Sequence, residues 1–392
     1  MIYIRSLAKW MIICMLIAIL AGSGSALFLS SLDYITRIRE KHLILIAFLP
    51  IAGFTSALIY LYWGKESAAG NILIAENILH PNKPFLHFLM APFILFTTLI
   101  AHLFGGSAGR EGTALQISAG LSDQLTKPFQ LNNEERRMLL LAAVAAGFGS
   151  VFGTPIAGAV FALEFTRSKK TRTPFSLLLV TICAYLAHWV CLAWGVTHTQ
   201  YIINQLPRNS LTSFSMILVA ALLFGITAFI FKSSSHLFKQ WSSQYLPNEL
   251  WKSVIGGTLI AMIIYLTSGF DFAGLGIKMI LEAFYIPSNY IDFAFKMLLT
   301  ILTLGVGFRG GEVTPLFFIG ATLGSSLSLL LPLPISFLAG MGMVAVFGAA
   351  ARTPITASFL AWELFGKEYF FYAFAICIIA SFIAGKKSIY QP

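Results

Sequence analysis

Charge is what this sequence has least of. Only 11% of its 392 residues are Asp, Glu, Lys or Arg, against roughly a quarter in soluble domains. Hydrophobic residues make up 57%, and mean hydropathy is +0.81. A soluble globular domain is excluded, and so is a disordered chain. The basic residues are scattered between apolar segments, so no nucleic-acid partner is expected. Cysteine is scarce as well. Cys14, Cys183, Cys191 and Cys377 all lie in apolar runs and form no CxxC pair, which excludes a disulfide framework and leaves small buried hydrophobes. The seven histidines show no HExxH or HxH spacing, so no metal site is expected. There is no Walker loop. With no nucleophile–base pair and no cofactor motif, an enzyme is not expected.

Long uncharged runs are abundant. Ten occur: 10–32, 42–64, 84–109, 138–163, 173–207, 209–231, 253–270, 297–308, 313–351 and 369–385. A helix needs roughly 20 apolar residues to span a bilayer. Runs 173–207 and 313–351 are long enough for two elements each, and 297–308 is too short to span alone. The pattern predicts an all-α integral membrane protein of tilted and broken helices. Arg5 and Lys9 precede the first run, which continues uncharged to Leu32. That is too long for a cleaved signal and predicts a first span with a cytoplasmic N-terminus. The net charge of +10 fits basic cytoplasmic loops and contact with anionic lipid, and also a field that draws anions.

The chain repeats itself. GREGTAL at 109–115 resembles GGEVTPL at 310–316, and GTPIAGAVFALE at 153–164 resembles RTPITASFLAWE at 352–363. Each half runs Glu-x-Thr just after glycine, then about 40 residues, then Thr-Pro, then a Glu ten residues after that Thr. Two motifs in the same order at nearly the same offset indicate a tandem of two halves, about 1–208 and 209–392, in one transmembrane domain. Paired halves with broken helices are a transporter plan.

A helix N-terminus presents unpaired N–H groups and partial positive charge, which makes it an anion site. Both Gly-Glu motifs look like helix starts, and Pro315 suits a first turn. Glu111 is itself an anion and can occupy such a site, leaving it when protonated. That would couple protons to anion movement. An Arg110–Glu111 contact or a simple helix cap is the structural alternative. Glu164 and Glu363 read as structural carboxylates at helix ends, and Glu312 as either a loop brace or a pathway residue.

At these motifs the chain resembles the CLC family of anion channels and proton-coupled anion exchangers. GREGT resembles that family's Gly-Arg/Lys-Glu-Gly-Pro motif, with Glu111 on its gating glutamate. GGEVTPL resembles the second-half Gly-x-Phe-x-Pro motif, with Val313 in place of Phe. KKSIYQP puts Tyr390 on the tyrosine at the inner side of the anion site. The resemblance implies two inverted halves of broken helices, a homodimer in the cell's inner (plasma) membrane, a separate pathway in each subunit, and no C-terminal regulatory domain beyond Pro392.

Departures from the family pattern point to its fluoride/proton antiporter branch. Asn71 stands in AAGNILIAE where chloride-selective members carry a serine. Thr113 replaces the motif proline. Phe165 stands where chloride/proton exchangers often keep an inner glutamate, and Thr314 matches the branch's GEVTP-like motif. The implied function is proton-coupled fluoride export. Glu111 gates and carries the proton, while Asn71, Gly112, Val313, Thr314 and Tyr390 bind the anion. Arg110 and Glu312 are placed near the path. The branch's pathway phenylalanine pair is assigned to Phe85 and Phe88. Strong donors such as amides and a threonine hydroxyl suit a small, tightly hydrated anion. A chloride or broad-anion exchanger and a passive anion channel remain open alternatives.

Overall fold

The computed structural model describes residues 2–390. Gln391 and Pro392, the end of the KKSIYQP motif, lie outside the described residues, as does the side chain of Arg5. Among the described residues the regular structure is helical, with one isolated backbone bridge. The first eight α-helices are α1 (Ile2–Lys41), α2 (Leu49–Tyr62), α3 (Asn71–Leu79), α4 (Met90–Leu103), α5 (Glu111–Ser122), α6 (Asn133–Phe152), α7 (Pro155–Phe165) and α8 (Pro174–Ala193). The second eight are α9 (Leu211–Tyr245), α10 (Glu249–Thr267), α11 (Ile277–Glu282), α12 (Asp292–Gly305), α13 (Val313–Leu327), α14 (Ile335–Ala351), α15 (Pro354–Phe365) and α16 (Phe370–Ala384).

The two sets follow the repeat seen in sequence. After α6 the chain turns left-handed at Gly153, and after α14 it does so at Arg352. Thr154 N–H then donates to Gly149 O at 3.1 Å, and Thr353 N–H to Gly348 O at 2.8 Å. Pro155 and Pro354 each open the next helix in its first turn, where a missing N–H costs nothing.

Six helical stretches are long and apolar enough to cross a membrane: Ala8–Lys41, Leu43–Tyr62, Pro174–Ala193, Leu211–Tyr245, Glu249–Thr267 and Lys367–Ala384. The run 313–351 holds two helices, α13 and α14, as its length predicts. The run 173–207 does not. It holds α8 alone, followed by a non-helical segment to about residue 210. An uncharged stretch reports burial or lipid contact and says nothing about whether the backbone is coiled or extended.

The chain forms two compact units. One comprises 1–33, 62–96 and 111–198, and the other 34–61, 97–110 and 199–392. In the first, Trp10, Ile13 and Ile17 of α1 pack with Leu139 and Ala143 of α6 and Leu179 and Cys183 of α8. Local sequence sets where its helices begin. Asn132 caps α6, accepting from Glu135 N–H at 3.0 Å while its own N–H donates to the Glu135 carboxylate at 2.9 Å. Such a capping box satisfies two orphan amides at once. Thr173 and Ser176 do the same for α8.

In the second unit Ile46, Leu49, Ile260, Ile264, Leu299 and Phe308 form a core cluster. Helices α13 and α14 approach at backbone distance. A Cβ on Gly320 would lie 2.0 Å from Gly342 O, and one on Gly324 2.0 Å from Leu338 O. Small residues permit such approach where lipid offers no hydrophobic drive between helices. Gly324→Ala is therefore expected to cost about 1–3 kcal/mol, read as a lower unfolding temperature of the purified protein. An unchanged temperature would contradict the close approach.

Candidate anion site

The loops that precede α5 and α13 are joined to each other. Gly109 N–H donates to Gly311 O at 2.6 Å, and Gly311 N–H donates to Gly109 O at 2.8 Å. One glycine motif from each half of the repeat thus satisfies the other's backbone. Gly310 has no room for a side chain, because a Cβ there would lie 2.5 Å from the Cβ of Ala108.

Both loops are braced from behind. Ser107 N–H donates to Thr303 Oγ1 at 3.2 Å, and the Ser107 and Thr300 hydroxyls lie 2.9 Å apart. The His102 ring is fully buried, with Nδ1 2.8 Å from Thr98 O and Nε2 3.0 Å from Ala108 O. The Arg39 guanidinium caps the end of α4 by donating to His102 O at 3.0 Å. Arg309, just before the second glycine pair, stacks its guanidinium 3.9 Å from the centroid of the Tyr60 ring.

The helix starts follow directly. Glu111 is the first residue of α5 and is completely buried, with Gly112 and Thr113 buried after it. Arg110 is half-buried at the loop's end. Glu312 is the half-buried residue before α13, and Val313 and Thr314 open that helix fully buried. A carboxylate at a helix N-terminus is favoured by the helix dipole and by free amides.

Asn71 is the first residue of α3, after Gly70. Its Oδ1 is buried and accepts no hydrogen bond. Gln116, on α5, brings its carboxamide to the same place: a Cβ on Gly70 would lie 3.2 Å from Gln116 Nε2. Gln116 is 5% exposed, and its Oε1 likewise accepts no hydrogen bond. The motif reading passed over this glutamine. Nothing in GREGTALQ marks it, since its meaning comes from contact with a loop 46 residues earlier in the chain.

Phe85 and Phe88 do not join Asn71. They lie past the far end of α3, in the connector to α4, and are 43% and 54% exposed. Phe85 faces the Arg136 guanidinium, 4.7 Å from its ring centroid, and Phe88 stacks on His87. Their assignment as a pathway pair is therefore not supported. Phe85 packs instead against the connector's charge network, a pattern that leaves no local mark in sequence.

That network clamps α3. Arg136 donates to Asp123 at 2.8 and 2.6 Å, to Asn77 Oδ1 at 2.9 Å, and to Pro81 O and Lys83 O at 2.7 Å. Arg137 donates to Ile78 O at 2.9 Å. Asp123 also accepts the Leu86 amide at 2.8 Å. At the other end of the chain, Tyr390 is buried and its N–H donates to Ser388 Oγ at 3.3 Å.

Two related sets of helices, broken at glycine loops inside an apolar protein, define a membrane transport fold. The chain belongs to the voltage gated chloride channel (CLC) family, whose model matches residues 52–385. It is 43% identical over 391 residues to the chloride/fluoride channel protein of Pseudomonas syringae pv. tomato, covering 98% of this chain and 86% of the relative. It is 26% identical over 347 residues to the H(+)/Cl(-) exchange transporter ClcA of Vibrio vulnificus, covering 84% and 74%. Among solved structures it resembles a CLC-type fluoride/proton antiporter at 32% identity and a TM-score of 0.92, over 98% of this chain and 97% of that one. A slow cyanobacterial Cl-/H+ antiporter shares the fold at 20% identity and a TM-score of 0.85, over 97% and 96%. The all-helical CLC architecture expected from the motifs is thus the one found.

Breaking the α3 clamp is expected to be costly, because Asp123 would be left as a buried charge without its partner. Arg136→Met should destabilise the protein by about 3–5 kcal/mol, measured by denaturation in detergent. A loss below about 1 kcal/mol, the level of an exposed ion pair, would contradict this.

Proposed function

We propose that this protein exports fluoride across the inner (plasma) membrane in exchange for protons. The reading rests most on one observation: Glu111, a carboxyl group, is completely buried at the first position of a helix. As an anion it is held by the helix start. When protonated it releases that hold and opens the place to a permeating anion. One group then serves as gate and proton carrier, and efflux is driven by the inward proton gradient. With Phe165 in place of an inner glutamate, Glu111 itself swings to deliver its proton.

Fluoride rather than chloride is supported by the donors. Asn71 brings a carboxamide to the start of α3, its Oδ1 buried, and Thr314 stands fully buried in the first turn of α13. Tyr390 adds a phenol, and the amides of Gly112 and Val313 complete the set. Arg110 and Glu312 flank the path. A small anion with a tight hydration shell is dehydrated only by strong donors of this kind. The fluoride/proton antiporter structure and the chloride/fluoride channel relative support the same choice. The chain is read as one transmembrane domain of two halves, about 1–208 and 209–392, acting as a homodimer in the bilayer.

In liposomes holding the reconstituted protein, Glu111→Gln is expected to abolish proton movement coupled to fluoride. Coupled exchange that persists in this variant would remove Glu111 from the mechanism. Thr314→Val should weaken fluoride about tenfold, as loss of one hydrogen bond to an ion predicts, and change chloride less. Equal losses for both anions would favour a broad-anion exchanger.

A further inference from the structure

The CLC motifs leave Lys232, a buried cation in the second unit, unexplained. Lys232 lies in the middle of α9 and is 9% exposed. An ammonium within a membrane-embedded helix is expensive and marks a function unless its partners explain it. Its Nζ donates to Ala384 O at 2.7 Å and to Lys387 O at 2.8 Å. Ala384 is the last residue of α16. The ammonium therefore sits at a helix C-terminus, where orphan carbonyls and partial negative charge favour a cation. With the same atom it holds the chain beyond the helix.

That chain is the segment ending in Tyr390. It leaves α16 at Gly385 with φ +81°. Arg352 donates to Lys386 O. Ser388 Oγ donates to Ala351 O at 2.7 Å, and Ile389 N–H donates to Ala350 O at 3.2 Å. Ser388 Oγ in turn accepts the Tyr390 N–H. The segment has no regular structure of its own, so these bonds are what place it. Those to Ala350, Ala351 and Arg352 fasten it to the end of α14. Lys232 fastens its first turn to both α16 and α9. A six-residue tail without such ties would sample many conformations, at roughly 1–2 kcal/mol of backbone entropy per residue.

We propose that Lys232 is a positioning residue for the anion site, its ammonium locking residues 385–390 so that Tyr390 keeps one place. The inference rests on Tyr390 contacting the ion, as proposed above. Lys232 acts through that contact and does not touch the ion.

A double-mutant cycle on the full-length protein in liposomes tests it, with half-saturating fluoride as the readout. Tyr390→Phe and Lys232→Met should each raise that concentration, by up to about tenfold, the value of one ordered hydrogen bond to an ion. Together they should do little more than Tyr390→Phe alone, because both remove the same contact. Lys232→Arg, which keeps charge and donors, should restore most of the affinity. If Lys232→Met does not fold, Lys232→Gln takes its place in the cycle. Amide exchange of Ile389 in the unaltered protein gives a reading that needs no variant, and it should be slow. Two independent, additive losses would overturn the inference while leaving Tyr390 in the site. A Tyr390→Phe variant with unchanged affinity would overturn the ion contact itself. Fast exchange at Ile389 would show that the tail is not locked, and would also overturn the inference.

Discussion

Inside a bilayer every backbone N–H and C=O must find a partner within the protein, and the reciprocal hydrogen bonds between Gly109 and Gly311 meet that demand where two helices break. Neither loop would be tolerable alone. Together they let the chain stop one helix and begin another inside apolar protein. Two residues beyond each glycine come Glu111 and Val313, the first residues of α5 and α13. The start of each helix thus follows a glycine loop whose backbone the other loop satisfies.

The rest of the fold serves to keep those helix starts in place. His102, Ser107 and Thr303 hold one loop from behind. Arg136 and Arg137 clamp the end of α3 opposite Asn71, and Lys232 ties the segment that carries Tyr390. His102, Arg137 and Lys232 act as polar side chains bonded to backbone carbonyls, in a protein where small residues such as Gly320 and Gly342 let helices meet closely. Apolar packing brings these helices together, while directional hydrogen bonds fix the few segments that are not helical.

Much of this was legible in sequence because broken helices need unusual residues. Glycine, threonine, proline and glutamate recur at matching offsets in both halves, and the structure puts a helix start at each Glu-x-Thr motif, a left-handed cap before each Thr-Pro and the last recurring Glu in a helix's final turn. Runs of uncharged residues located the apolar helices, but a charge did not always end one. Lys232 closes the run 209–231, yet α9 continues through it to Tyr245. The carbonyls that neutralise the cost of its burial come from residues 152 and 155 positions away. Gln116 and the Arg136–Asp123 pair were illegible for the same reason. A motif carried from a family gives chemistry without geometry, and Phe85 follows α3 at the end away from Asn71.

The central claim is that a buried glutamate at a helix start couples protons to fluoride. The most direct test loads liposomes bearing the unaltered protein with fluoride and chloride, and follows both anions and external pH together. The account predicts fluoride efflux with proton uptake in fixed proportion and little chloride movement. Fluoride leaving without proton uptake would contradict it and identify a passive channel.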